Sequence, residues 1–450
     1  MPDHVTTASG QWEPKTAIDA SQSGWLRWLE NGVLCVALVA LVVLPLLEIV
    51  LRATLQTGIS GSNALVQHMT LVIGMLGGAV AAREKRLLAL STGAFLKGRV
   101  KLGAALFSGA VAATIGFFLG VASFQFVLTE KEDGSILAYS IPVWLLQSVM
   151  PLGFVLVAVR LLYHTGECWK FRALAAMLTG LLVLLALRPP MSPSEAVAPA
   201  LIGLLAATAL GSPVFATLGG AALILFWGAD LPIASIPLDH YRLVINPSLP
   251  TIPLFTLAGY FLAEGGASQR LVRVFQALFG QFRGGPAIVT SLVCAFFTSF
   301  TGASGVTILA LGGLLMPVLL TAGYPPKSAL GLLTGAGSLG LLFPPCLPLI
   351  LYAVVAKISI EEMFLGGVVP GILMVALTAW WGMTQGPKAN ITRASFCLSE
   401  AKTAIWNSKW ELLLPAVAFA GLFGGIATPV EAAALTALYA RLWRHSFIVT

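Results

Sequence analysis

The chain has 450 residues, of which 57% are hydrophobic and 10% charged, with a formal net charge of +7. Ordinary soluble domains carry roughly 25% charged residues, so the composition excludes a soluble globule and predicts an all-α protein that crosses the lipid bilayer many times. The basic residues lie in short loops between apolar runs, where they set orientation, and no nucleic-acid partner is expected.

Residues 1–25 are polar and are read as a cytoplasmic tail; the apolar run that follows lacks a small-residue cleavage site and reads as a retained anchor. About 20 apolar residues cross a bilayer, and four such runs follow at 31–51, 64–82, 102–128 and 141–163. Trp25, Trp28 and Trp144 stand near their ends as interfacial anchors. The loop after the second run carries Arg83, Lys85, Arg86, Lys97, Arg99 and Lys101 and is placed inside; the loop after the third sets Lys131 among Glu130, Glu132 and Asp133 and is placed outside. Residues 26–165 thus form a four-helix module that returns to the inside at Arg160, Lys170 and Arg172. Within it, Glu48 and Arg52 are four apart on one helix face and are expected to pair locally or to hold two helices together, and His68 is expected to be structural or interfacial.

Residues 166–195 read as a linking helix, with its apolar run at 173–187, and a stiff proline-rich joint at 188–193 that separates two modules. The second module, 196–385, opens with runs at 196–210, 213–227 and 251–262. Arg270, Arg273 and Arg283 follow on the inside, where Leu271, Val274, Leu278 and Phe282 recur at helical spacing and predict an amphipathic helix at the interface, or an ordinary surface helix. Arg283 and Lys327 both read as cytoplasmic, so residues 286–322 should enter and leave on one side as a re-entrant hairpin with its tip at 301–305. The next span is broken around 335–345, and 363–381 returns. Residues 386–410, with Lys388, Arg393, Lys402 and Lys409, form an inner loop.

Gly211-Ser212-Pro213 and Ala427-Thr428-Pro429 resemble each other, and each predicts a helix start with a hydroxyl cap and an early proline. Thr428 with Glu431 fits a capping box, the favoured role for Glu431 over ion binding. The span count places the two copies on opposite sides, the inverted repeat of secondary transporters. Residues 411–450 are then the start of a second repeat whose hairpin is not encoded, as in a truncated product or one half of a split permease. The chain is expected not to transport alone, and a second chain supplying the other half is an expected partner.

Non-helical backbone at membrane depth is tolerated only where protein or a water-filled cavity satisfies it. Two hydroxyl-bearing breaks therefore predict a binding site. Backbone carbonyls and hydroxyls suit sodium, and the free N–H groups of helix starts suit a carboxylate. A lone hydroxyl more often bonds its own helix, but two clustered breaks favour a site. The candidate sodium and substrate residues are Ser299, Thr301, Gly302, Ser304, Gly337, Ser338, Gly340, Pro344 and Pro345. Five scattered cysteines, Cys35, Cys168, Cys294, Cys346 and Cys397, form no metal spacing. No catalytic constellation or phosphate loop appears, so no enzyme activity and no organic cofactor are expected.

Thr301-Gly302-Ala303-Ser304, the run from Gly337 to Pro345, Pro348-Leu349-Ile350, Gly366 to Gly371 and Gly425 to Ala433 resemble the large membrane subunit of tripartite ATP-independent periplasmic (TRAP) transporters. Arg52, the Ala82-Arg83-Glu84 run and the stretch from Pro142 to Leu162 are similar to its small four-helix subunit, so the chain resembles the fused form. The resemblance implies a multi-pass protein of the bacterial inner membrane that takes up organic acids such as C4-dicarboxylates. It further implies sodium coupling, delivery by a separate periplasmic binding protein, an elevator motion, and a first sodium site at the oxygen-rich positions above. Thr301 and Ala303 depart from the family, standing where serines are usual. The alternatives are a different inverted-repeat carrier and a non-transporting scaffold.

Overall fold

A computed structural model describes residues 24–90, 95–166, 168–190, 192–282, 284–386, 396–425 and 427–448. Most of the polar tail, and Arg283, Lys388 and Arg393 from the sidedness argument, lie outside the described residues. The described chain is helical, with strand pairing limited there to two isolated bridges, Ala89 with Pro213 and Ile136 with Pro142. Seven described helices are long and apolar enough to cross a membrane, and a bent pair makes up to eight.

The first module comprises α1 (Trp25–Leu55), α2 (Ser62–Arg83), α3 (Gly98–Asp133), α4 (Val143–Gln147) and α5 (Val149–His164), with α6 (Trp169–Leu187) lying against α3 and α5. The predicted linker run is thus extended by four residues at its start, enough for α6 to be a full span. Small residues let α3 and α5 approach: a methyl at Gly116 would meet Ala158, and one at Gly120 would meet Val155 and Phe154. At one end of the module, Glu30 of α1 lies 2.7 Å from Arg83 of α2 and 2.7 Å from Arg160 of α5, all three nearly buried. One carboxylate ties three helices together there.

The second module runs α7 (Pro193–Ala209), α8 (Val214–Gly228), α9 (Ser235–Val244), α10 (Thr251–Glu264), α11 (Ala267–Phe279), α12 (Gly285–Thr301), α13 (Ser304–Thr321), α14 (Pro326–Ala336), a 3-10 helix (Leu339–Leu342), α15 (Leu347–Ala356), α16 (Ile360–Gln385), α17 (Leu398–Asn407), α18 (Lys409–Phe423) and α19 (Pro429–Ile448). Its centre is an apolar cluster of Leu271, Val293, Phe297, Phe300, Leu311 and Leu315. The predicted interfacial helix is α11, but its apolar face is turned to protein: Leu271 and Val274 are buried against α12 and α10. Burying Leu271 and Val274 in the core removes them from lipid and water alike, while Phe282, beyond the end of α11, stays exposed. Part of the predicted loop 386–410 is α17, which packs on α11.

The modules meet where α3 packs on α8 and α9, α2 on α9, and α1 on α19. His68 Nδ1 lies 2.7 Å from its own-helix carbonyl Ala64 O, and Nε2 lies 2.8 Å from Tyr241 Oη on α9. A carbonyl can only accept, so Nδ1 carries the proton and Nε2 accepts from the tyrosine. His68 is structural, as expected. Arg52 pairs with Glu431 of α19 rather than with Glu48, whose carboxylate instead accepts from the Ile59 amide.

Candidate functional site

The hairpin predicted at 286–322 is α12 and α13. Its tip is tighter than the sequence suggested: Thr301 still belongs to α12 and Ser304 already belongs to α13. Only Gly302 and Ala303 leave the helical path. Gly302 adopts φ +63°, a left-handed conformation that glycine takes without strain, and a side chain there would collide with Leu347. The second break separates α14 from α15 with a bend of 45°. The 3-10 turn fills its middle, and the buried Pro344–Pro345 step, with a cis peptide, leads into α15.

The two breaks lie against each other. Thr298 Oγ1 is 2.8 Å from the Gly337 carbonyl oxygen and 2.9 Å from Thr307 Oγ1, and Thr301 Oγ1 is 3.0 Å from Thr307 Oγ1. Three threonine hydroxyls from both arms of the hairpin thus form one chain, and Thr298 ties it to the Gly337 carbonyl where α14 ends. Thr298 and Thr307 are fully buried and Thr301 nearly so. Gly340 permits this approach, because a methyl there would overlap the Ala295 carbonyl and the Ser299 amide on α12. Gly337 is similarly pressed against Ile308.

The predicted positions divide. Thr301, Gly337 and Gly340 sit in the contact between the breaks, and Gly302 forms the tip. Ser299 is buried, but its hydroxyl bonds Phe296 O of its own helix at 2.8 Å, and the half-buried Ser338 bonds Gly335 O at 2.9 Å. Both follow the local habit of serine in helices. Ser304 begins α13 half-buried, and Pro344 and Pro345 shape the entry to α15. Thr298 and Thr307 were missed, although each stands within a turn of the first break. A search for hydroxyls one helical turn either side of it would have found both. Among the described residues no cluster of His, Cys, Asp or Glu could hold a metal ion, and the oxygens brought together here are hydroxyls and a carbonyl, which carry no formal charge.

Of the repeated turns, the second matches its prediction. Thr428 N donates to Glu431 Oε2 at 2.8 Å, and Glu431 N donates to Thr428 Oγ1 at 3.3 Å, a reciprocal cap. The first does not: α8 starts at Val214 after Pro213, and the Ser212 hydroxyl is buried without a cap bond. The Val214 amide, which a cap would serve nearby, instead donates to Leu88 O.

The match of residues 201–445 to the family described as "Tripartite ATP-independent periplasmic transporter, DctM component" covers more than half of the chain, and residues 41–171 match the corresponding DctQ component. The chain belongs to the TRAP transporter permeases. Both components lie in one TRAP chain, in the order DctQ then DctM, and the family is one of permeases rather than enzymes. The chain is similar to the isethionate TRAP transporter permease protein DctMQ of Oleidesulfovibrio alaskensis, 32% identical over 67% of this chain and 48% of the relative. It is also similar to the C4-dicarboxylate TRAP transporter large permease proteins of Vibrio cholerae, 35% identical over 51% of each chain, and of Rhodobacter capsulatus, 33% identical over 53% of this chain and 58% of the relative. The chain spans about half the length of these curated relatives. Membership of this family sets aside the alternative of an unrelated inverted-repeat carrier.

Proposed function

We propose that the chain is the permease part of a sodium-coupled importer of small organic anions, which a periplasmic binding protein delivers to it across a bacterial inner membrane. The observation that supports this reading is the 2.8 Å contact between Thr298 Oγ1 and the Gly337 carbonyl, which brings two helix breaks into one buried, uncharged, oxygen-rich locus. A monovalent hard cation is satisfied by such oxygens without a carboxylate. Sodium would exchange bonds with the threonine hydroxyls and with carbonyls at the ends of α12 and α14. The start of α13 at Ser304 presents unpaired N–H groups and a positive dipole end toward the same locus, which suits a carboxylate or sulfonate. The names of the relatives, C4-dicarboxylate and isethionate permeases, fit anions of that kind. In the elevator form of the mechanism, α12 to α16 would carry the site while the first module stays fixed as a brace.

Sodium is tested on the purified chain by thermal unfolding in sodium against equal concentrations of potassium or choline. A saturable upward shift in sodium alone is expected, reduced in Thr298→Val, since a ligand that binds only the folded state raises its stability. Equal midpoints in all three salts would refute the sodium site. Uptake of a labelled dicarboxylate or isethionate into vesicles, with a binding protein and any further permease segment supplied, tests the coupling itself.

A further inference from the structure

On the side that the basic loops mark as cytoplasmic, α11, α17 and α18 frame a cleft of about 400 Å³ lined by Arg270, Arg273, Trp406, Asn407, Lys409 and Trp410. Three cations and no carboxylate line it. Arg270 is held from behind by Glu411, its Nε 2.7 Å from Oε1. Lys409 lies over two indole rings, its Nζ 3.7 Å from the centroid of Trp406 and 5.1 Å from that of Trp410. Neither Lys409 nor the exposed Arg273 has an ion-pair partner among the described residues, so the cleft keeps an excess of positive charge.

The helix beside the cleft indicates what meets that charge. On α17, Ala401 is buried, whereas Leu398, Ile405 and Trp406 are exposed at 72%, 40% and 66%. Leu398, Lys402 and Ile405 are four and three apart and share one exposed face of α17, and Lys409 opens α18 just beyond the end of α17. Exposed leucine, isoleucine and tryptophan with a long lysine among them suits a helix lying at the lipid headgroup level, the lysine stem along the apolar face and its ammonium reaching the polar layer. The cytoplasmic leaflet is the anionic one, and basic pockets between helices on that side attract its headgroups.

We infer that this cleft binds the phosphate of an anionic phospholipid from the cytoplasmic leaflet. Arg273 and Lys409 pair with the phosphate oxygens, Asn407 offers its amide, and Trp406 with Ile405 faces the glycerol and upper acyl chain. The inference rests on charge and exposure alone and stands or falls separately from sodium coupling.

The test is native mass spectrometry of the chain with phosphatidylglycerol or phosphatidylcholine of identical acyl chains, together with a thermal-shift titration of inorganic phosphate. Preferential retention of phosphatidylglycerol is expected, weakened about fivefold for each charge removed in Arg273→Gln and Lys409→Gln. The charge-conserving Arg273→Lys with Lys409→Arg should retain the preference. If the neutral double variant does not fold, raising the salt with the unaltered chain must weaken retention instead. Equal retention of the two lipids, or retention unaffected by both salt and charge removal, overturns the proposal. So does stabilisation by inorganic phosphate equal to that by the lipid, or a second copy of the chain occupying the cleft and excluding lipid.

Discussion

Arg52 Nη2 lies 2.8 Å from Glu431 Oε2, an ion pair between residues 379 positions apart that links the first helix of the small-subunit module to α19, the last described helix. Glu431 is buried and also caps α19, while Arg52 remains half-exposed. Arg52→Gln is therefore expected to destabilise, because it takes a charged donor away from a buried carboxylate. The double variant with Glu431→Gln should cost less than the sum of the single changes. Thermal unfolding of the four proteins measures the coupling, and strict additivity would show that the contact contributes nothing.

Removing the hydroxyl that joins the breaks isolates their contact. Thr298→Val keeps the shape of the side chain but leaves the Gly337 carbonyl without its partner, at a cost of about 1–3 kcal/mol. Thr298→Ser should preserve both stability and any sodium response. If valine and serine variants behave alike in unfolding and in sodium titration, the hydroxyl has no role.

Two glycines in the second break should respond in opposite ways. Gly340→Ala puts a methyl into the backbone of α12 and should destabilise by about 1–3 kcal/mol or more, since neither the Ala295 carbonyl nor the Ser299 amide can rotate away. Gly335 has open space at its would-be methyl, so Gly335→Ala should be tolerated and, within a helix, slightly stabilising. Thermal midpoints of the two variants decide it, with a tolerated Gly340→Ala counting against the close packing of the breaks.

Glu30 holds Arg83 and Arg160 in a nearly buried cluster. Glu30→Gln removes the one negative charge that these two arginines share among the described residues and should cost about 3–5 kcal/mol. Replacing the exposed Glu84, which lies 3.0 Å from Arg83, should cost under about 1 kcal/mol by contrast. Chemical unfolding of each variant tests the difference.

The apolar runs, the hairpin and the second break were legible because membrane depth forces backbone groups to pair locally, so helix lengths and their interruptions are written in the residue order. The limits of the site were less so. Ser299 and Ser338 had the right chemistry but spend their hydroxyls on their own helices, while Thr298 and Thr307 looked like ordinary helical threonines until the chain folded. The i,i+4 spacing of Glu48 and Arg52 left open a local pair or a tie between two helices, and the tie is the one formed. A half-exposed arginine at a helix end can reach several carboxylates, and the buried Glu431 was brought within reach only by the packing of α1 on α19.

By itself, the sequence determined that this chain is an all-α membrane protein with two interrupted segments and the motifs of a TRAP permease, since hydrophobic run length, loop charge and break residues are local properties. Only the tertiary structure decided which hydroxyl meets which carbonyl, and that Leu271 and Val274 of α11 turn to protein. Those outcomes depend on contacts between residues such as Thr298 and Gly337, 39 positions apart, whose distance is fixed by helix packing and by the absence of a side chain at Gly340.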